Sequence, residues 1–169
     1  AAGGLNGKTV KVITYDDQSK AEEASMMVTK LITEDKVHAV LGEVASKLSI
    51  VAADVAQRSK TPMISPSSTN PAVTEKGDYI FRICFIDPFQ GEVMARFAIE
   101  TLKAGRVAVL RDVASDYSVG LADAFVKTFQ SLGGNVIVDE SYHKGDVDFR
   151  AQLTKLKQLQ PQAIFLPGY

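Results

Sequence analysis

The chain has 169 residues, 46% of them hydrophobic and 23% charged, with a formal net charge of −1, the balance of a soluble globular protein. No apolar run approaches the roughly 20 residues that cross a bilayer, which argues against membrane insertion. Basic residues are spread along the chain without an aromatic-basic stripe, which argues against nucleic acid.

The opening Ala1-Ala-Gly-Gly-Leu-Asn-Gly-Lys8 reads as a helix C-terminus followed by a turn, with no signal peptide, and implies that something upstream has been removed. Residues 9–15 read as a strand stopped by Asp16-Asp17. Residues 19–34 read as a helix with Ser19 as N-cap and Glu22 completing a capping box, burying Ala24, Met27, Val28 and Leu31. A strand follows over 38–44, then a helix over 46–58, in which Leu48, Val51, Ala52, Val55 and Ala56 fit one face. A short strand at 61–65, a loop at 70–78 and a strand at 79–85 close this series. Cys84 is the only cysteine; it cannot form an internal disulfide and reads as a small buried hydrophobe.

The second series begins after Ile86-Asp87-Pro88. It comprises a helix at 88–103, a strand at 106–110, a helix at 118–132 closed by Gly133-Gly134, and a strand at 135–142. A helix at 148–160, capped by Asp148 and ended by Pro161, leads into a strand at 163–166. Strands alternating with helices imply right-handed crossovers and mostly parallel sheets. The fold class is therefore α/β, as one ordinary domain or two small lobes.

Two strand-to-helix junctions carry the functional signal: His38-Ala-Val-Leu-Gly-Glu-Val-Ala-Ser46 and Pro62-Met-Ile-Ser-Pro-Ser-Ser-Thr69. In open α/β sheets, ligands bind beyond the carboxyl ends of the strands, where helix N-termini point outward. Ser46, Ser67, Ser68 and Thr69 would form a small polar cradle without a strong acid or base, suited to holding an anion or zwitterion rather than transforming it. Ser and Thr are also ordinary caps and turn residues, but two such junctions in succession favour binding.

Catalytic readings are weaker. Asp16-Asp17 could mimic the acidic pair of a phospho-receiver, but Asp112 and Lys60 are wrongly placed to complete it. Ser46 lacks a nucleophile elbow, and His38 and His143 lie far from it in this topology. No metal cluster or phosphate-binding loop is visible, so no cofactor, metal or catalytic residue is expected.

Read in order, Ala2–Lys8, Tyr15-Asp-Asp17, Ala39–Ser46, Ile64–Thr69, Phe81-Arg-Ile83, Asp87–Gly91, Asp116-Tyr-Ser-Val-Gly120 and Asp148-Phe149 resemble the periplasmic solute-binding proteins of ABC transporters for branched-chain and related amino acids. The resemblance implies a type I periplasmic-binding fold of two Rossmann-like, doubly wound lobes with mostly parallel sheets, the first over 1–86 and the second over 87–169, clamping a small amino acid. It also implies an extracytoplasmic or periplasmic location and transporter permease subunits as partners. By position, Ser46 resembles the hydroxyl that binds the ligand carboxylate, and Ser67 the residue whose main chain holds the ligand backbone. Thr69 resembles the residue whose hydroxyl and N–H bind the same zwitterion, and Tyr117 and Tyr169 resemble aromatics brought over the ligand by the second lobe.

Family members carry a strand and a long helix before the Gly-Gly-Leu-Asn-Gly turn and continue well past the Pro-Gly-Tyr region, so both lobes are expected to be incomplete here. The absent first strand would lie between residues 9–15 and 39–44. Without it the chain is expected to rearrange so that these strands meet, to self-associate through its open sheet edges, or to be an excerpt of a longer protein. A ligand-sensing domain of the same fold, and a fragment that binds nothing, are the alternative readings.

Overall fold

The computed structural model describes residues 4–169; the first residues of the expected helix end lie outside that range. Leu5 and Lys8 exchange backbone hydrogen bonds at 2.9 and 3.0 Å. Between them, Asn6 and Gly7 take φ of +51° and +77°. This is the Asn-Gly hairpin turn in which both central residues need positive φ.

Residues 9–15 do not form the expected strand. A strand is held by its ladder, and among the described residues no strand lies alongside this segment, so Val10 and Val12 stay exposed. The segment has not moved to pair with residues 39–44 either. Its end is anchored at Tyr15, whose hydroxyl donates to Asp35 at 2.9 Å and whose ring lies 4.6 Å below the Lys30 ammonium.

Helix α1, Ala21–Thr33, starts later than the Ser19 cap implied, and Lys20 is its N-cap. The Asp17 side chain takes the Ser19 N–H at 2.8 Å and its carbonyl takes that of Lys20 at 3.0 Å. This local turn leaves Ser19 at a φ of +55°, where it cannot cap.

The first sheet is shorter than expected. Strands β1 (Val40–Leu41), β2 (Met63–Ser65) and β3 (Ile80–Arg82) pair in parallel in that order, with Val40 beside Met63 and Met63 beside Ile80. Helix α2, Ser46–Arg58, covers it as the apolar spacing requires. Val28, Val40, Ala52, Ala56, Met63 and Ile80 form its core. The segment at 70–78, expected as a loop, contains a 3-10 helix, Pro71–Lys76; Asn70 caps it by accepting the Ala72 N–H.

Helix α3, Asp87–Arg96, continues through a π turn at Phe97–Thr101. It is followed by β4 (Arg106–Asp112), α4 (Asp116–Ser131), β5 (Asn135–Tyr142), α5 (Arg150–Leu159) and β6 (Ala163–Phe165). The second sheet is parallel, in the order β5-β4-β6. Its core joins Val107, Val109, Ala122, Phe125 and Phe129, and the Phe125 ring stacks on Phe165 at 3.9 Å. Burying each phenylalanine contributes about 1.5–3 kcal/mol. Phe149 rather than Asp148 is the N-cap of α5, although the Asp148 carboxylate accepts the Arg150 N–H at 3.1 Å.

Helices α3 and α4 approach closely because of Gly91. A Cβ there would lie 2.6 Å from the Ala124 Cβ and 2.7 Å from the Phe125 backbone nitrogen. The expected α/β class with two mostly parallel sheets is therefore what the chain adopts.

Candidate functional site

The carbonyl of Glu43, just past β1, organises the first junction. It accepts from the hydroxyls of Ser49 at 3.1 Å, Ser65 at 2.8 Å and Ser68 at 3.1 Å. The Ser68 oxygen also lies 2.6 Å from that of Ser49 and 3.0 Å from the Val44 carbonyl, while its backbone N–H donates to Ser65 Oγ. All three serines are buried. This knot ties the end of β1 to the end of β2 and fixes where α2 begins. The Ser68 hydroxyl is thus engaged with backbone inside the first half of the chain, whereas Ser67 is exposed on the rim.

Helix α2 starts without a capping side chain or an acidic residue in its first turn, so its partial positive end is not neutralised from within. Ser46 is fully buried there. Its hydroxyl oxygen accepts the Asn70 N–H at 3.3 Å, which leaves its own proton to donate elsewhere. The Ser46 backbone N–H donates to the Tyr169 hydroxyl at 3.2 Å.

Thr69 has the opposite polarity. Its hydroxyl lies 2.6 Å from Asp87 Oδ1; toward an ionised carboxylate it must donate, so its lone pairs remain as acceptors. Its carbonyl accepts the Asp87 N–H at 2.9 Å. The loop carrying Thr69 is held by Arg82, whose guanidinium donates to the carbonyls of Ser68, Asn70 and Pro71 and to the Thr74 hydroxyl. Half-buried Cys84, beyond the end of β3 rather than inside a strand, sets its sulfur 3.5 Å from the Ser68 carbonyl.

The second sheet brings its own groups to this point. Ser115 caps α4, which begins with Asp116 and Tyr117, and Asn70 Nδ2 donates to the Asp116 carbonyl at 2.8 Å. Lys47 reaches the Ala114 carbonyl at 3.3 Å. The rings of Tyr117 and Tyr169 stand 5.0 Å apart, and Gln90 contacts the Tyr117 hydroxyl at 3.5 Å. Ser46, Tyr169 and Tyr117 are thus linked in series, and Thr69 joins them through Asn70, the residue that follows it.

The cradle does contain acids, contrary to the sequence reading. Asp87 is 1% exposed. Burial pushes its carboxyl upward, against the opposing pull of the Thr69 hydroxyl and Arg82. Behind the first junction, burial and the neighbouring Asp17 carboxylate push Glu43 up to about 7. Asp87 stood in the sequence at the break between series and at the head of the Asp87–Gly91 stretch, without a site role; Asn70 was an ordinary loop residue. Their shared signal was position, immediately beside the hydroxyl run and at the crossover. No group of three or more metal-ligating side chains occurs among the described residues, and no described helix is long and apolar enough to cross a membrane.

Two three-stranded parallel sheets with helices packed on them, their strand ends meeting around Asn70, place the chain in the α/β class. The periplasmic binding protein family model matches residues 1–168, and the chain belongs to that family. The chain is 36% identical over 169 residues to an amino acid binding protein of Pseudomonas aeruginosa, covering 99% of this chain and 45% of the relative. The leucine-, isoleucine-, valine-, threonine- and alanine-binding protein of the same organism matches with the same identity and coverage. Among solved structures, a leucine binding protein from Thermotoga maritima superposes with a TM-score of 0.96 at 43% identity, covering 99% of this chain and 48% of that one. A branched-chain amino acid transporter substrate binding protein from Streptococcus pneumoniae, in complex with isoleucine, gives 0.92 at 39% identity, covering 99% and 47%. The chain spans about half the length of the curated relatives it matches.

Proposed function

We propose that this chain forms the cleft of an extracytoplasmic, periplasmic-type solute-binding protein that holds a branched-chain or related amino acid for an ABC importer. The supporting observation is the paired polarity of two neighbouring hydroxyls. Ser46 has a proton to donate at the positive end of α2, and Thr69 has lone pairs to accept beside Asp87. A zwitterion needs that pair, a donor for its carboxylate and an acceptor for its ammonium.

In this reading the carboxylate takes the Ser46 hydroxyl and the N–H now directed at Tyr169. Ser67 contributes main chain at the rim, Ser68 holds the loop from behind, and Tyr117 and Tyr169 cover the ligand. Residues 1–86 and 87–169 act as the two lobes, hinged at Asp87. Permease subunits of the importer are the protein partner, and self-association runs through the edge of β1, where Leu41 is exposed. The protein binds without turnover, because the contact to the Ser46 hydroxyl is a backbone N–H rather than a base.

Calorimetric titration of the full-length chain with leucine, isoleucine and valine tests the proposal. Saturable binding with one site and no product in the recovered ligand supports it; no heat with any amino acid, or conversion of the ligand, contradicts it.

A further inference from the structure

Among the described residues Asp87 is the one buried carboxylate, and its surroundings are specific. Oδ1 accepts the Thr69 hydroxyl at 2.6 Å and the Asp87 backbone N–H donates to the Thr69 carbonyl at 2.9 Å, so the two residues are clamped at both ends. Oδ2 is buried with no hydrogen-bond partner among the described residues. Arg82 is near enough to attract the carboxylate, but its guanidinium donors go to the loop carbonyls and Thr74. The negative charge is therefore held in place without being cancelled by a direct ion pair. Gly120 keeps the space around it open, since a Cβ there would lie 3.1 Å from Oδ2 and 2.9 Å from Asn70 Nδ2.

We propose that Asp87 is a positioning residue that sets the polarity of the cleft: it holds the Thr69 proton so that Thr69 can only accept, and places a negative charge behind that acceptor, selecting ligands with an ammonium group. A threonine hydroxyl left to itself can donate or accept and would serve a carboxylate equally well. With its proton committed to an ionised acceptor, it discriminates. A buried, unneutralised carboxylate also favours a cation close by, because low surrounding polarity strengthens their attraction.

This rests on the amino-acid-binding reading above, and the test separates the two. Wild type, Asp87→Asn and Thr69→Val are titrated with L-leucine and with 4-methylpentanoate, the same carbon skeleton lacking the amino group. Asp87→Asn keeps an acceptor for Thr69 but removes the charge. It is expected to weaken leucine by at least about tenfold, the scale of a hydrogen bond to a charged group, and to leave 4-methylpentanoate within about twofold. Should Asp87→Asn fail to fold, as judged by its melting curve, Thr69→Val carries the same expectation, because it removes the acceptor without changing shape. Equal weakening of both ligands, or of neither, overturns the role of Asp87 while the binding function stands. A wild type that binds no amino acid overturns both.

Discussion

The phenol oxygen of Tyr169, in the segment beyond β6, accepts the backbone N–H of Ser46 at 3.2 Å, so an aromatic from the end of the chain closes on the first residue of α2. In the proposed binding mode, a ligand carboxylate at that helix end displaces the hydroxyl. Tyr169→Phe removes the competing acceptor and keeps the ring, and should tighten leucine binding by up to about 1 kcal/mol, the net worth of one hydrogen bond. Calorimetry reads this directly. A marked loss of affinity would show instead that the hydroxyl itself contacts the ligand.

Ser68 and Ser46 lie in the same cradle, yet their substitutions should separate. The Ser68 hydroxyl is buried among carbonyls, so Ser68→Ala should cost about 1–3 kcal/mol of stability by leaving polar atoms without a partner. Its effect on ligand affinity, measured on folded protein, should be smaller than that of Ser46→Ala. Urea unfolding and titration of the two variants side by side check this; an unchanged midpoint for Ser68→Ala would mean the knot holds nothing.

At Gly91 two effects oppose each other. Alanine improves helix propensity by about 1 kcal/mol, but its Cβ would meet the Phe125 backbone nitrogen at 2.7 Å, and backbone cannot swing aside. Overpacking of that kind costs about 1–3 kcal/mol, so Gly91→Ala should lower the melting temperature. A rise would mean that α3 and α4 slide apart freely.

The element order, the parallel sheets and the helix faces were legible because apolar spacing along α2 and α4 is unambiguous. Ser46 and Thr69 could be placed at strand-to-helix junctions from the same pattern, whereas Tyr117 and Tyr169 stood out only through the family resemblance. What stayed hidden depended on partners distant in sequence. Residues 9–15 alternate like a strand, but pairing rather than alternation makes one. Ser19 satisfies a capping pattern, yet Asp17 captures its N–H first. Asp87 opens the Asp87–Gly91 stretch, but nothing in that stretch assigns it a role; its contact with Thr69 is brought about only by the fold.

Acid stability supplies another check. Glu43 is pushed up to about 7 by burial and by Asp17, against about 4.3 for an unperturbed glutamate. The folded chain therefore binds more protons than the unfolded one between those values, and its stability falls as pH rises across that window. Solvent around the half-exposed side chain screens the effect and keeps it small. Glu43→Gln should flatten the dependence in urea melts collected from pH ~4 to ~7.5; an identical slope in the variant would assign it to other groups.

The central claim is that Ser46 and Thr69 hold the two ends of an amino acid. Ser46→Ala and Thr69→Ala, each titrated calorimetrically with leucine, should each lose about 1–3 kcal/mol of binding free energy, through loss of a hydrogen bond to a charged group. Wild-type affinity in both variants would mean that these hydroxyls serve only the fold, and would contradict the account.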